Sequence, residues 1–355
     1  MHGLVETFKR NFYNYFIINE TRLHELNYLF WECTRRCNLG CLHCGSDCSK
    51  DAIQKDMPLD DFLKAIEPLR SFYKKDTITV VLTGGEPLIR NDIDLCGKKL
   101  RKRGFRWGMV TNGYLYNEAV HGKLTGAGMG ALTLSIDGLE DSHNWLRGNK
   151  NSYQKALEAL YLIKDSKRIN YDVVTCVNKR NIAELEEIKK YFIANHVKAW
   201  RLFTITPIGR AMNNPELQLD SAQLRYLMDF IARSRQEKKI DIKFSCEAYV
   251  GPYEKKVRDS YFFCRAGINI ASILTDGSIS ACPNIDRSFI QGNIYKDDFL
   301  QIWNHKFTEM RNREWTKTGI CSNCSDYKWC NGSGLHLWQE DRKNVLKCHC
   351  LELKG

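Results

Sequence analysis

Four cysteines crowd the run Trp31-Glu32-Cys33-Thr34-Arg35-Arg36-Cys37-Asn38-Leu39-Gly40-Cys41-Leu42-His43-Cys44. Cys37, Cys41 and Cys44 are spaced C-x3-C-x2-C, just after a short hydrophobic stretch. Thiolate is a soft ligand suited to iron–sulfur chemistry, and three so close together can hold three corners of a cubic cluster. The fourth iron then has no protein ligand and stays open to chemistry. The same triplet could also hold structural zinc, with His43 or Cys48 as the fourth donor. Cys33 and Cys48 flank the triplet without a place in its spacing and read as small buried residues.

The elements that would position this loop are legible as periodicity. Apolar runs at Tyr28–Thr34, Thr77–Thr83, Arg106–Thr111, Ala131–Ile136, Tyr171–Val177 and Ala199–Thr206 are rich in β-branched and aromatic residues and read as strands. Near-continuous apolarity, as in Val80-Val81-Leu82, suits parallel strands covered on both faces. Helical faces fall between them: Tyr153, Ala156, Leu157, Leu160 and Ile163 on one, Leu224, Leu227, Met228 and Ile231 on another. Asn181 and Glu184 are spaced as a capping box. Strand–helix alternation predicts an α/β fold with right-handed crossovers. Six units are too few for a closed eight-stranded barrel, so a partial, TIM-like (β/α)6 barrel is expected. Each predicted strand ends in polar or glycine-rich residues: the cysteine triplet, Gly84-Gly85-Glu86-Pro87, Thr111-Asn112-Gly113, Ser135-Ile136-Asp137-Gly138, Cys176-Val177-Asn178 and Pro207-Ile208-Gly209-Arg210. In parallel α/β barrels the site is built from the loops at that end.

Composition narrows the class. The chain has 355 residues, 15 cysteines and a formal charge of +11. No apolar run approaches membrane-spanning length, and the start of the chain lacks the zones of a secretory signal, so a cytoplasmic location is expected. Cytoplasmic thiols stay reduced, so clustered ones read as metal sites before disulfides. The positive charge is scattered. Its one dense run, Lys98 to Arg103, suits the C-terminal end of a helix, and no groove-reading motif accompanies it, so no nucleic-acid partner is expected. Phe8, Phe12, Tyr15 and Phe16, beside Lys9 and Arg10, predict an N-terminal helix that plugs the far side of the barrel. The expected division is 1–27 as a helical extension, 28–240 as the barrel and 241–355 as a small cysteine-rich domain.

The triplet after a first strand, followed by Gly-Gly-Glu-Pro at the second strand's end, resembles the radical S-adenosylmethionine (radical SAM) superfamily. The resemblance implies that Cys37, Cys41 and Cys44 hold a [4Fe–4S] cluster whose open iron chelates the amino and carboxylate groups of S-adenosylmethionine. An electron from the cluster would then release a 5′-deoxyadenosyl radical. It implies Glu86 as acceptor for the SAM ammonium, Gly84 and Gly85 as sites of close backbone approach, and Ser135 and Asp137 as contacts to ribose or carboxylate, with Asn112 and Arg147 as further candidates.

Downstream, Cys264-x12-Gly277-x4-Cys282 precedes Cys321-x2-Cys324-x5-Cys330, then Cys348 and Cys350. This pattern resembles the SPASM domain, which implies auxiliary [4Fe–4S] clusters. Cys321, Cys324, Cys330 and Cys348 would bind the outer one, with Cys350 as rival to Cys348. Cys264 and Cys282 would begin the inner one. The pattern departs at Gly334, where a further cysteine is expected; Cys246, Cys350 and His336 are the available substitutes. A zinc ribbon is the plainer alternative for this segment.

The resemblance implies an oxidoreductase that modifies a peptide or protein side chain by hydrogen abstraction, reduced by a partner such as flavodoxin or ferredoxin. Sulfatase-maturing relatives carry an aspartate after the Gly-x4-Cys cysteine; Pro283 stands there, which disfavours that oxidation. A radical SAM enzyme acting on a small molecule such as a tetrapyrrole is the second expectation. A non-catalytic iron–sulfur or zinc module is the third.

Overall fold

The computed structural model describes residues 2–339 and 341–355, and side chains from residue 7 onward. Its centre is a ten-stranded sheet in the order β10-β9-β8-β1-β2-β3-β4-β5-β6-β7. The strands are β1 (Tyr28–Thr34), β2 (Thr79–Gly84), β3 (Arg106–Thr111), β4 (Ala131–Ser135), β5 (Asn170–Val177), β6 (Ala199–Thr204), β7 (Asp241–Phe244), β8 (Ile270–Ile273), β9 (Ser278–Ser280) and β10 (Gly292–Asn293). From β1 to β7 each strand pairs in parallel with the next. The six expected strands are β1 to β6. The sheet is α/β and does not close, so the partial barrel is present.

The sequence pattern gave no sign of β7 to β10, and the reason is their length: two to four residues carry too little periodicity. They matter because β8 pairs in parallel with β1, from Tyr28 opposite Ile270 to Trp31 opposite Ile273. β9 and β10 continue antiparallel from there. The cysteine-rich segment is thus hydrogen-bonded to the strand that launches the cysteine triplet.

Large aromatic side chains fill the space between sheet and helices. Trp31 stacks on Phe62 at 4.1 Å, and Trp200 meets Phe192 edge-on at 5.1 Å. The indole N–H of Trp200 donates to Thr175 and that of Trp107 to the Ala127 carbonyl, so neither ring buries an unpaired donor. Each such ring contributes about 3 kcal/mol through apolar burial. The helix Ser221–Glu237 buries Leu224, Leu227, Met228 and Ile231 as its sequence predicts, and opens on a capping box between Asp220 and Gln223.

Two local expectations fail. Asn181 does not cap a helix with its side chain. Its amide instead donates to the backbone carbonyls of Asp137 (2.6 Å) and Cys176 (2.9 Å), tying the ends of β4 and β5 together. Glu184 takes the Leu139 N–H at 2.8 Å and the Ser142 hydroxyl. Tertiary donors outcompete the local cap because the strand ends need polar ties more than the helix does. The N-terminal helix, His2–Leu23, forms, but its contacts run to the C-terminal segment. Arg10 donates to the Tyr249 hydroxyl, Asn14 to the Lys328 carbonyl, and Glu20 pairs with Arg265. Phe8 and Phe12 remain mostly exposed.

Candidate active site

The cysteine loop leaves β1 and is held by backbone contacts to β2. Gly85 N–H donates to the Thr34 carbonyl and Glu86 N–H to the Arg36 carbonyl, both at 2.9 Å. A Cβ on Gly84 would lie 2.1 Å from the Thr34 oxygen, and one on Gly85 would lie 2.0 Å from the Arg36 oxygen. Gly84, at φ +126°, also has a backbone that side chains rarely adopt. The close approach these glycines permit is therefore between β2 and the cysteine loop. Arg210 secures the loop from the other side, donating to the Cys41 carbonyl at 2.8 Å and the Cys48 carbonyl at 2.9 Å.

Within the loop Cys37, Cys41 and Cys48 are buried together, with Cys44 and Tyr114 packed against them. Burial pushes the Cys37 thiol up to about 11 and raises Cys41. Cys44 is lowered, chiefly by a hydrogen bond from the Cys48 thiol. The backbone N–H of Cys48 also faces the Cys44 sulfur at 3.4 Å. Cys48 is therefore a partner of the triplet, which its place outside the spacing conceals. Cys33 is fully buried and bonds the Thr83 carbonyl, a packing role as its position suggests. Three gathered thiols, N–H groups aimed at sulfur and a shielded loop are the donor set that an iron–sulfur cluster requires.

Glu86 lies at the end of β2, 1% exposed. Oε1 accepts from Leu88 N–H (3.1 Å) and the Thr111 hydroxyl (2.8 Å), and Oε2 accepts from Asn112 N–H (2.8 Å). Burial raises its pKa, against the pull of these donors. A carboxylate offers about four acceptor sites, so one remains for a ligand donor. The Asn112 side chain donates to Asn38 at 2.9 Å, linking Glu86's neighbour to the cysteine loop.

Asp137 and Arg147 meet directly. Arg147 Nε donates to Asp137 Oδ2 at 2.6 Å, and both side chains are buried. Burial alone would raise Asp137, but the adjacent guanidinium outweighs it and holds the carboxyl below its usual range. Cys176 N–H takes Oδ1 at 2.8 Å. Arg147 Nη1 reaches the Cys41 sulfur at 3.7 Å. Asp137 is thus engaged by a cation of its own chain that also faces the triplet. Ser135 lies buried at the end of β4, two residues before it.

Sequence reasoning missed a further convergence. Single ligand atoms of His43, Asp137 and Cys176 lie within 4.8 Å of one another. Burial lowers His43 to about 4, so its ring is neutral, and its Nδ1 is buried without a partner. The three come from different strand ends, and no spacing in the chain reveals them.

In the C-terminal segment, Cys321 is raised to about 11 by burial and by Cys348 and Cys324 nearby. Burial likewise raises Cys330, beside Cys348 and Cys321. Cys350 turns to Asp326 (3.5 Å), and a Cβ on Gly251 would lie 2.8 Å from its sulfur. Cys348 neighbours Cys321, Cys324 and Cys330, and Cys350 neighbours Cys330 and Cys348. Between the two cysteine groups lies a cavity of about 330 Å³. Gly45 to Asp47, Ile208, Gly209 and Met212 line it from the barrel, and Pro283 to Arg287, His336 and Trp338 from the C-terminal segment.

An open parallel barrel thus carries a three-thiol loop at its mouth and is joined to a second cysteine-rich cradle. Comparison with known proteins makes this specific. A family model described as the Radical SAM superfamily matches residues 31–192, and one described as SPASM, an iron–sulfur cluster-binding domain, matches residues 264–325. The chain carries a radical SAM domain and a SPASM domain. It is similar to the AdoMet-dependent heme synthase of Methanosarcina barkeri, 27% identical over 85% of this chain and 89% of that protein. It is also similar to the mycofactocin maturase MftC of Mycolicibacterium smegmatis, 26% identical over 86% of this chain and 76% of that one. Among solved structures, anSMEcpe with bound AdoMet and the Cp18Cys peptide superposes with a TM-score of 0.72, at 18% identity, covering 93% of this chain and 95% of that chain. The cofactors of this class are [4Fe–4S] clusters, auxiliary ones included, and S-adenosylmethionine. No helix among the described residues is long and apolar enough to cross a membrane.

Proposed function

We propose that the protein modifies a peptide or protein side chain, with Cys37, Cys41 and Cys44 holding the cluster that binds S-adenosylmethionine. When bound, that pair supplies hydrogen abstraction from an unactivated carbon. Glu86 uses its remaining acceptor site for the SAM ammonium, a charge-assisted contact in a dry setting. Asn112 keeps Glu86 in register with the cysteine loop. Asp137 and Arg147 form a buried pair that fixes the end of β4 against Cys41, and Ser135 lines the same end. Cys321, Cys324, Cys330 and Cys348 hold the outer auxiliary cluster. A flavodoxin- or ferredoxin-type partner supplies electrons.

The charge of the cavity carries the choice of substrate. Its lining includes Glu32, Asp47 and Asp286 beside Arg35 and Arg287. Arg287 is paired with Asp276, while Arg35 gives one donor to the Ser46 carbonyl, so the lining holds more carboxylate than unpaired cation. A tetrapyrrole bearing several carboxylates needs cations free to meet them, whereas a side chain of a peptide does not. Asp47, Met212 and Asp286 on the rim are exposed, which suits a chain entering from solvent. The heme synthase relatives give the second reading. The two separate in one assay: reconstituted, reduced enzyme with S-adenosylmethionine, offered either a random peptide mixture or an iron porphyrin bearing propionates. The proposal expects peptide to raise 5′-deoxyadenosine turnover and to change mass. Stimulation by the porphyrin alone, with loss of carboxylate mass, would overturn it.

A further inference from the structure

The inner half of the second cysteine group has an unusual gap and an unusual occupant. Gly334 stands where the resemblance calls for a cysteine. A Cβ there would fall 2.6 Å from His336 Cε1 and 2.9 Å from its Nδ1. The imidazole therefore fills the space into which a side chain at 334 would project. The turn Leu335–Leu337 brings it back, closed by Leu337 N–H to the Gly334 carbonyl at 3.0 Å.

Other donors surround the same place. The backbone N–H groups of Leu335 and Ala266 and the Arg313 guanidinium are neighbours of the Cys264 sulfur. Arg313 Nη1 binds the Ser333 carbonyl at 2.7 Å, while its Nη2 is buried without a partner. Asn284 N–H, Cys264 and the solvent-exposed Cys246 are neighbours of the Cys282 sulfur. Cys246 directly precedes Glu247, whose carbonyl oxygen would lie 2.3 Å from the Gly334 Cβ. Backbone N–H groups beside sulfur, with a buried guanidinium alongside, form the setting that tunes cluster thiolates. Cys350 turns to Asp326 and packs in one cluster with Tyr249, Phe262, Cys264, Cys330 and Cys348.

We propose that His336 replaces the missing cysteine and completes an inner auxiliary cluster with Cys246, Cys264 and Cys282. The proposal rests on the assignment of auxiliary clusters to the C-terminal segment, and it makes that site chemically distinct from the outer one. Imidazole in place of thiolate raises a cluster's potential, as in Rieske centres. Because His336 also lines the 330 Å³ cavity, the distinct cluster faces the substrate.

The test uses the full chain with Cys37, Cys41 and Cys44 all changed to Ala, reconstituted without S-adenosylmethionine, so that only auxiliary clusters report. Iron and sulfide should equal two four-iron clusters, and pulsed EPR of the reduced protein should show nitrogen-14 coupling of a ligated imidazole. Adding His336→Ala should remove one cluster's worth of iron together with that coupling. Adding His336→Cys instead should retain the iron and lose only the coupling, which separates ligation from misfolding. Iron for a single cluster before any change at 336, no imidazole coupling, or iron unaltered by His336→Ala would each overturn the proposal. None of these readouts depends on substrate identity, so their failure is distinguishable from failure of the peptide reading.

Discussion

The two cysteine groups are assembled in opposite ways. Cys37 to Cys48 come from one stretch after β1, and their geometry is set by nearby groups: Gly84 and Gly85 on one side, Arg210 on the other. The later group draws on segments around residues 246, 264, 282, 321–330 and 348, brought together only when β8 to β10 dock on β1. A local loop pays little closure entropy and its ligand spacing is inherited from the chain. A dispersed set depends on the whole fold and has more ways to be rebuilt. The triplet is intact, while the dispersed set has Gly334 in place of a cysteine.

Breaking the local group should have the largest effect. Cys41→Ala is expected to abolish S-adenosylmethionine cleavage, with 5′-deoxyadenosine at the detection limit, while the auxiliary sites still load iron. Normal product from this variant would show the triplet to be misassigned. In the dispersed group the effect should be partial and selective. Cys348→Ala should lose the outer cluster's iron, whereas Cys350→Ala should keep it; iron analysis of the two variants side by side decides between them.

Arg147 sharpens the comparison, because it couples the end of β4 to the loop. Arg147→Ala leaves Asp137 as an unpaired buried charge and should destabilise the fold by about 3–5 kcal/mol, read by denaturant unfolding. The pH dependence follows in sign. Asp137 is held below its ordinary 3.8 in the folded state, so its stabilisation is complete above that value and is lost as pH falls below it. Asp137→Asn should flatten that acid limb; an unchanged limb would mean the pair does not titrate as described. The smallest expected effect is at Glu86. Glu86→Gln replaces a charge-assisted bond with a neutral one, for about 1–2 kcal/mol, or roughly a tenfold rise in the Kd for S-adenosylmethionine. Equilibrium binding to the cluster-loaded protein measures it, and an unchanged Kd would remove Glu86 from the site.

How much of this the chain discloses follows from the same distinction. β1 to β6 and the ends that carry Glu86, Asn112 and Asp137 are legible because long apolar runs and adjacent motif residues are local signals. The approach of His43 to Cys176 and the clamp from Arg210 are tertiary, joining residues far apart that no spacing links, and the ion pair between Asp137 and Arg147, only ten residues apart, also needed the structure. Asn181 shows a local signal overridden: its capping pattern is present, but its amide serves Asp137 and Cys176. His336 needed the structure most, since only the imidazole filling the Gly334 gap distinguishes it from any other histidine.

The central claim is an iron left open beside Glu86 at the barrel mouth. Its most direct test is chromatography of the reconstituted, reduced wild-type protein incubated with S-adenosylmethionine, with iron content verified beforehand. The account predicts 5′-deoxyadenosine and methionine in equal amounts. Intact S-adenosylmethionine over fully loaded clusters would contradict it.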